Sequence, residues 1–301
     1  MATQRFTPEI LPQLREWFEY NFDAGCTLSQ LKGTLTASGY LEDEIDLFIE
    51  SQRLRLAQRA GVDQFDTMPT QSKKEAVGRF WRRTDVLNSF TNITIGDRVA
   101  KIMARNASCA IYYIDGFLSD EECESLINAA RAKLLRSTIV DATKPGDVVS
   151  PTRSSRGAVL HRGSTPTVKR IESRIAKLTD LPISHGEGLQ ILNYDLGGEY
   201  YPHFDYFDPK TEGGRKVLSE GSQRLATVIM YLSDVENGGD TKFPELSLEF
   251  SPTRGAALLF ASIGRDGALL KSSLHAGCPV TSGEKWIATK WLRLSPYEKH
   301  G

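Results

Sequence analysis

The stretch Lys285-Trp286-Ile287-Ala288-Thr289-Lys290-Trp291-Leu292-Arg293 reads as a strand, and a period of two places Lys285, Ile287, Thr289 and Trp291 on one of its faces. It closes a series of strand candidates at Leu189–Tyr194, 225–232, 246–250 and 256–260. Pro252-Thr253-Arg254-Gly255 and Thr281-Ser282-Gly283-Glu284 supply turns between some of them. Strands that follow one another without intervening helices predict an antiparallel sandwich or barrel, with the helices of residues 118–180 packed outside it.

Working back along the chain, Ile111-Tyr112-Tyr113-Ile114 is another strand-like run, and Ser119 precedes an acidic helical first turn, Asp120-Glu121-Glu122. Residues 60–75 lose periodicity, and a helix resumes over 73–88. From residue 9 to 59 apolar residues recur at helical spacing: Leu11, Leu14, Trp17, Phe18 and Phe22, then Leu28, Leu31 and Leu35, then Ile45, Leu47, Phe48 and Leu54. Thr27 and Glu42 stand at expected helix starts, and Asp23-Ala24-Gly25 and Ser38-Gly39-Tyr40 punctuate three short helices. The reading is α+β, with a helical module at 1–60, a linker and connecting helix at 61–105, and the main domain at 106–301.

A chain of 301 residues, 40% hydrophobic and 25% charged, excludes disorder and fibrous repeats as its main theme. Lysine plus arginine (37) balances aspartate plus glutamate (38), so nothing global draws the chain to nucleic acid or an anionic membrane. The N-terminus lacks a secretory signal, and no segment approaches the ~18 apolar residues of a membrane span, which leads to the expectation of a soluble cytoplasmic protein without a membrane partner. Cys26, Cys109, Cys123 and Cys278 have no Cys-x-x-Cys spacing, against both a disulfide framework and a thiolate zinc site.

Chemistry concentrates in His203-Phe204-Asp205. Residues i and i+2 at a strand end point the same way, so imidazole and carboxylate can converge on one ion, with His275 as a candidate third ligand. Two imidazoles and one carboxylate leave open positions on the metal, the arrangement of non-haem iron(II) oxygenases. Lys285, ten residues beyond His275, adds the cation that a dicarboxylate chelating iron at one end requires at the other. If its face lines a barrel, that lysine is an unpaired buried charge until an anion meets it.

Further motifs occur in order: Gly188-Leu189-Gln190-Ile191-Leu192-Asn193-Tyr194, Tyr200-Tyr201-Pro202-His203-Phe204-Asp205, Gln223-Arg224-Leu225-Ala226-Thr227, Gly238-Gly239-Asp240-Thr241-Lys242-Phe243-Pro244, and Leu274-His275-Ala276-Gly277-Cys278-Pro279-Val280 leading to Lys285-Trp286 and Thr289-Lys290-Trp291. On these the segment from about 110 to 295 resembles the prolyl 4-hydroxylase family of 2-oxoglutarate- and iron(II)-dependent dioxygenases. The resemblance implies a double-stranded β-helix of jelly-roll type, with Fe(II) held by His203, Asp205 and His275. It also implies 2-oxoglutarate held by Lys285 with Thr241 and Tyr194, O2 as cosubstrate, and ascorbate as a reductant. Proline-substrate contacts of the family fall on Arg153, Glu187, Tyr200, Arg224 and Trp291. Residues 206–222 resemble a mobile flap with glycine hinges, and the helical module resembles the appendage of bacterial members, a packing or dimerising element.

The implied reaction hydroxylates an unactivated carbon and releases succinate and carbon dioxide, with a peptidyl proline as the default substrate. Rival readings are a hydroxylase of a free amino acid or small metabolite, and a catalytically silent barrel that acts as a binding protein. A nucleic-acid demethylase fits less well, since it would need a basic face and its relatives use arginines in place of Lys285.

Overall fold

The computed structural model describes residues 5–7, 10–23, 28–46, 48–49, 52, 71–140, 147–150 and 152–297. The chain divides into two compact units, Met1–Met68 and Pro69–Gly301. In the first, helices Leu11–Asp23 and Leu28–Ala37 and the helical residues 42–46 bury Phe18, Leu31, Leu35, Tyr40, Ile45 and Phe48 in a small core. Among the described residues, the amphipathic spacing is the inward face of these helices at Phe18, Leu31, Leu35, Ile45 and Phe48. Thr27, Leu47, Leu54, Cys26, His300 and the linker at 61–70 lie outside the described residues.

The second unit starts well before residue 106. Helix Gln71–Asn88 packs Ala76, Val77, Phe80, Trp81 and Leu87 into the core of the sheet, and strands Asn92–Thr94 and Val99–Asn106 extend that sheet at one edge. The sheet has nine antiparallel strands: after those two come Ile111–Asp115, Ala257–Ala261, Arg224–Tyr231, Lys285–Arg293, Leu189–Tyr194, Arg156–Leu160 and Leu135–Arg136. A second, four-stranded sheet orders Leu248–Phe250, Thr241–Phe243, His275–Gly277 and Tyr200–His203. Ile111, Leu192, Tyr194, Ile229, Tyr231, Leu258, Phe260 and Ile287 of the large sheet share one apolar core with Phe243 and Phe250 of the small one. The expected jelly roll is therefore present, with helices outside it.

Both faces of the large sheet are covered, which explains why strand Arg224–Tyr231 is buried along nearly its whole length instead of alternating. Its outer face packs on helices Asp120–Arg131 and Pro166–Thr179, through residues such as Val228, Met230, Leu126, Ile171 and Ile175. Ser119 and Glu122 close a reciprocal capping box on the first of these helices. Arg174 of the second is 1% exposed and donates to Asp97, to Glu122 and to the Phe117 carbonyl. Among the described residues no helix is long and apolar enough to cross a membrane.

The segment after Asp205, expected as a flap, contains an ordered element. Helix Glu212–Glu220 occupies it, capped by the Thr211 hydroxyl, which accepts from the Gly214 amide. Gly214 is required there by contact: a β-carbon would stand 1.9 Å from the Asp208 carbonyl oxygen. At Gly214 the missing side chain serves tight packing in a helical first turn.

Arg174→Met should lower stability by about 3–5 kcal/mol, because it strands Glu122 as a buried charge without its main partner. Urea unfolding monitored by tryptophan fluorescence checks this.

Candidate metal centre and cosubstrate pocket

His203 ends strand Tyr200–His203, and His275 begins the neighbouring strand directly opposite it. The ladder thus sets the two imidazoles side by side, with ring centroids 4.3 Å apart. Asp205 follows two residues later, beyond the strand, and offers a carboxylate to the same point. One donor atom from each of the three lies within 4.8 Å of the others. His203 Nδ1 lies 2.8 Å from the Tyr201 carbonyl oxygen, and His275 Nδ1 lies 2.9 Å from that of Ser273. A carbonyl can only accept, so Nδ1 carries the proton in both rings, and Nε2 is the atom left to face a ligand.

Electrostatics hold His203 and Asp205 in ligand form. Burial, and then the neighbouring His275, push His203 down to about 3, so it stays neutral. Burial pushes Asp205 upward, but His275, His203, Arg224 and the Thr227 hydroxyl outweigh it and hold the carboxyl below its ordinary range. Thr227 Oγ donates to Asp205 Oδ2 at 2.7 Å. Two imidazoles and one carboxylate, oriented by backbone carbonyls and a hydroxyl, fit a hard-to-borderline divalent ion such as iron(II) with positions left open.

The same cavity is lined by Lys285, Ile287, Thr289 and Trp291, the single strand face read from the sequence, together with Arg153, Tyr194, Tyr200 and Thr241. Lys285 is 3% exposed, and its ammonium stands 5.5 Å from the centre of the Tyr194 ring, opposite it in the ladder. No carboxylate among the described residues lies within ion-pair distance of it. Burial pushes the ammonium down to about 8, with Cys278 and Asp240 partly opposing the shift. Tyr231 donates its hydroxyl to Thr241 Oγ at 2.9 Å, which leaves the threonine proton for a ligand.

Glu187 and Arg224 do not line the cavity. Arg224 donates twice to Glu187, at 2.7 and 3.0 Å, and Arg293 donates to the same carboxylate at 2.7 Å. The guanidinium of Arg224 also covers the Trp291 ring at 3.7 Å and donates to the Asp205 carbonyl. Arg153 does face the cavity, over the Tyr200 ring at 4.9 Å, with the Gln190 side chain, the Ser155 hydroxyl and the Thr138 carbonyl as its hydrogen-bond partners. Thr227 was not singled out in the sequence, although a lone threonine in an apolar run was its available signal.

Residues 189–293 match the model of the 2OG-Fe(II) oxygenase superfamily. Probable prolyl 4-hydroxylase 3 of Arabidopsis thaliana is 40% identical over 222 residues, which span 67% of this chain and 75% of that relative. Prolyl 4-hydroxylase 5 of the same plant is 39% identical over 222 residues, 67% of this chain and 74% of that relative. The chain belongs to the prolyl 4-hydroxylase family. Among solved structures, the viral collagen prolyl hydroxylase of Paramecium bursaria Chlorella virus-1, in its 2-oxoglutarate complex, is 31% identical. It covers 61% of this chain and 95% of its own, with a TM-score of 0.48. Membership makes this chain a 2-oxoglutarate- and iron(II)-dependent dioxygenase, with O2 as cosubstrate.

A dicarboxylate held at Lys285 would favour the charged ammonium, whereas the empty pocket releases that proton once the pH passes about 8. Binding of 2-oxoglutarate to the Mn(II)-loaded protein should therefore weaken as the pH rises beyond about 8. Lys285→Arg, which stays charged, should lack this fall. Calorimetric titration across that range checks it.

Proposed function

We propose that this chain hydroxylates a peptidyl proline at C4. In this reading His203, Asp205 and His275 hold iron(II), and Lys285, with Thr241 and Tyr194, holds the distal carboxylate of 2-oxoglutarate. The observation that carries it is the presence, in one cavity, of three convergent metal donors and a buried lysine without a counter-ion. When bound, the iron supplies the redox chemistry that couples oxidative decarboxylation of 2-oxoglutarate to hydroxylation of a carbon, and ascorbate serves as the reductant that keeps it ferrous. This chain's residues bind and orient. Nδ1 protons fixed on carbonyls aim the two imidazoles, Lys285 sets the direction of the cosubstrate, and Ile229, Leu192 and Ile287 exclude water from the apolar side of the cavity.

The charge pattern favours a peptide over a free amino acid. Asp205 is the sole carboxylate among the residues lining the cavity, and the metal takes it. Glu187 is already neutralised by Arg224 and Arg293. A free amino acid would bring an ammonium with no counter-charge, whereas a peptide backbone is neutral at that point, and a polyproline-like segment arrives already ordered. Arg153, whose partners are all neutral, then serves a substrate carbonyl.

His275→Ala should abolish Mn(II) binding and turnover, and Lys285→Ala should raise the KM for 2-oxoglutarate by about 10- to 100-fold with metal binding intact, the loss of one charge-assisted contact of roughly 1.5–3 kcal/mol. Proline-rich peptides should gain one oxygen while succinate forms. Turnover of free proline with such peptides inert would overturn the peptide reading.

A further inference from the structure

His203 and His275 are fixed by pairing with each other across the small sheet, but Asp205 lies beyond the last ladder residue and needs another support. That support comes from the residues that open strand Arg224–Tyr231. Gln223 is 3% exposed, and its side-chain amide acts as a peptide group would in a ladder. Its Oε1 accepts from the Phe207 amide at 2.9 Å, and its Nε2 donates to the Phe207 carbonyl at 2.8 Å. The same Oε1 accepts from the Arg224 amide at 2.9 Å, which ties the clamp to the strand. Two residues upstream of Phe207, Arg224 holds the Asp205 carbonyl and Thr227 holds its carboxylate. The Phe207 ring lies between Arg224 and Arg293, 4.7 and 4.8 Å from their guanidinium carbons.

We propose that Gln223 is a positioning residue that replaces the missing ladder beyond His203 and holds the Asp205–Phe207 backbone so that the carboxylate is set for the metal before the metal arrives. The proposal rests on the reading of His203, Asp205 and His275 as metal ligands. Three features support a positioning role over simple packing. Gln223 satisfies both polar groups of one residue. It is buried, so water cannot replace it. It adjoins, in sequence, the arginine that grips the ligand itself.

The test uses Mn(II) as probe, with affinity measured by calorimetry and stability by thermal unfolding of the metal-free protein. Wild type and His275→Ala, run in parallel, establish that binding is at the triad. Against that reference, Gln223→Met, similar in length and without hydrogen-bonding groups, should raise the Kd for Mn(II) by about 10- to 100-fold. A role in packing alone would lower the melting temperature and leave that Kd unchanged, and this result would overturn the proposal. If the variant does not fold, amide hydrogen exchange of the wild-type metal-free protein decides. Protection of the Phe207 amide comparable to strand Arg224–Tyr231 supports the clamp, and free exchange there overturns it.

Discussion

A protonated lysine taken out of water without a partner is expensive, and Lys285 is placed so that the whole fold imposes that cost. It starts the strand that sits near the centre of the large sheet, on the face turned toward the small one, at 3% exposure. The lowered titration of its ammonium is the direct sign of the penalty, which applies to the empty protein below about pH 8 and fades as the pH rises toward 10.5. An anion entering the cavity removes it. The difference between the empty and filled pocket is thus a source of affinity for an anion that a solvated lysine would not have.

Around that constraint the two sheets divide the work. The large sheet, covered on both faces, is rigid and supplies Lys285, Thr289, Trp291 and Tyr194 from adjacent strands. The small sheet supplies the histidines, each aimed by a carbonyl two residues before it. The Glu187–Arg224–Arg293 group stands behind the cavity and joins the last strand to the segment that carries Asp205. Its two arginines offset the burial of one carboxylate, and the coulombic attraction of both holds Glu187 below its ordinary range despite that burial.

Long strands with β-branched and aromatic residues were readable from sequence, and so was the face shared by Lys285, Ile287, Thr289 and Trp291. The short ones were not. Tyr200–His203 contains a proline and His275–Gly277 has three residues, too few for a period of two to register. Val99–Asn106, the strand next to the sheet edge, carries a register shift between Ile102 and Ala104 that breaks its alternation. The His-x-Asp pair with a distal histidine was legible because ligand chemistry is local to residue type. Gln223 and Thr227 were not, since an amide and a hydroxyl have many uses and only the tertiary contact distinguishes one. Glu187 and Arg224 came only from the family resemblance, and their mutual hydrogen bonds in the fold have no signal in residue type.

The measurement that bears most directly on this account is the ionisation of Lys285 itself. With 15N-labelled protein, metal-free or loaded with Zn(II), the Lys285 ammonium can be followed by NMR through a pH titration, with Lys285→Arg providing its assignment. The account predicts a midpoint near 8 in the metal-free protein and, with Zn(II) bound, a shift upward of at least one unit, roughly the linkage expected for one charge-assisted contact, when 2-oxoglutarate is added. A lysine that titrates like a solvated one in the empty protein, or one whose midpoint does not move when 2-oxoglutarate binds, would contradict it.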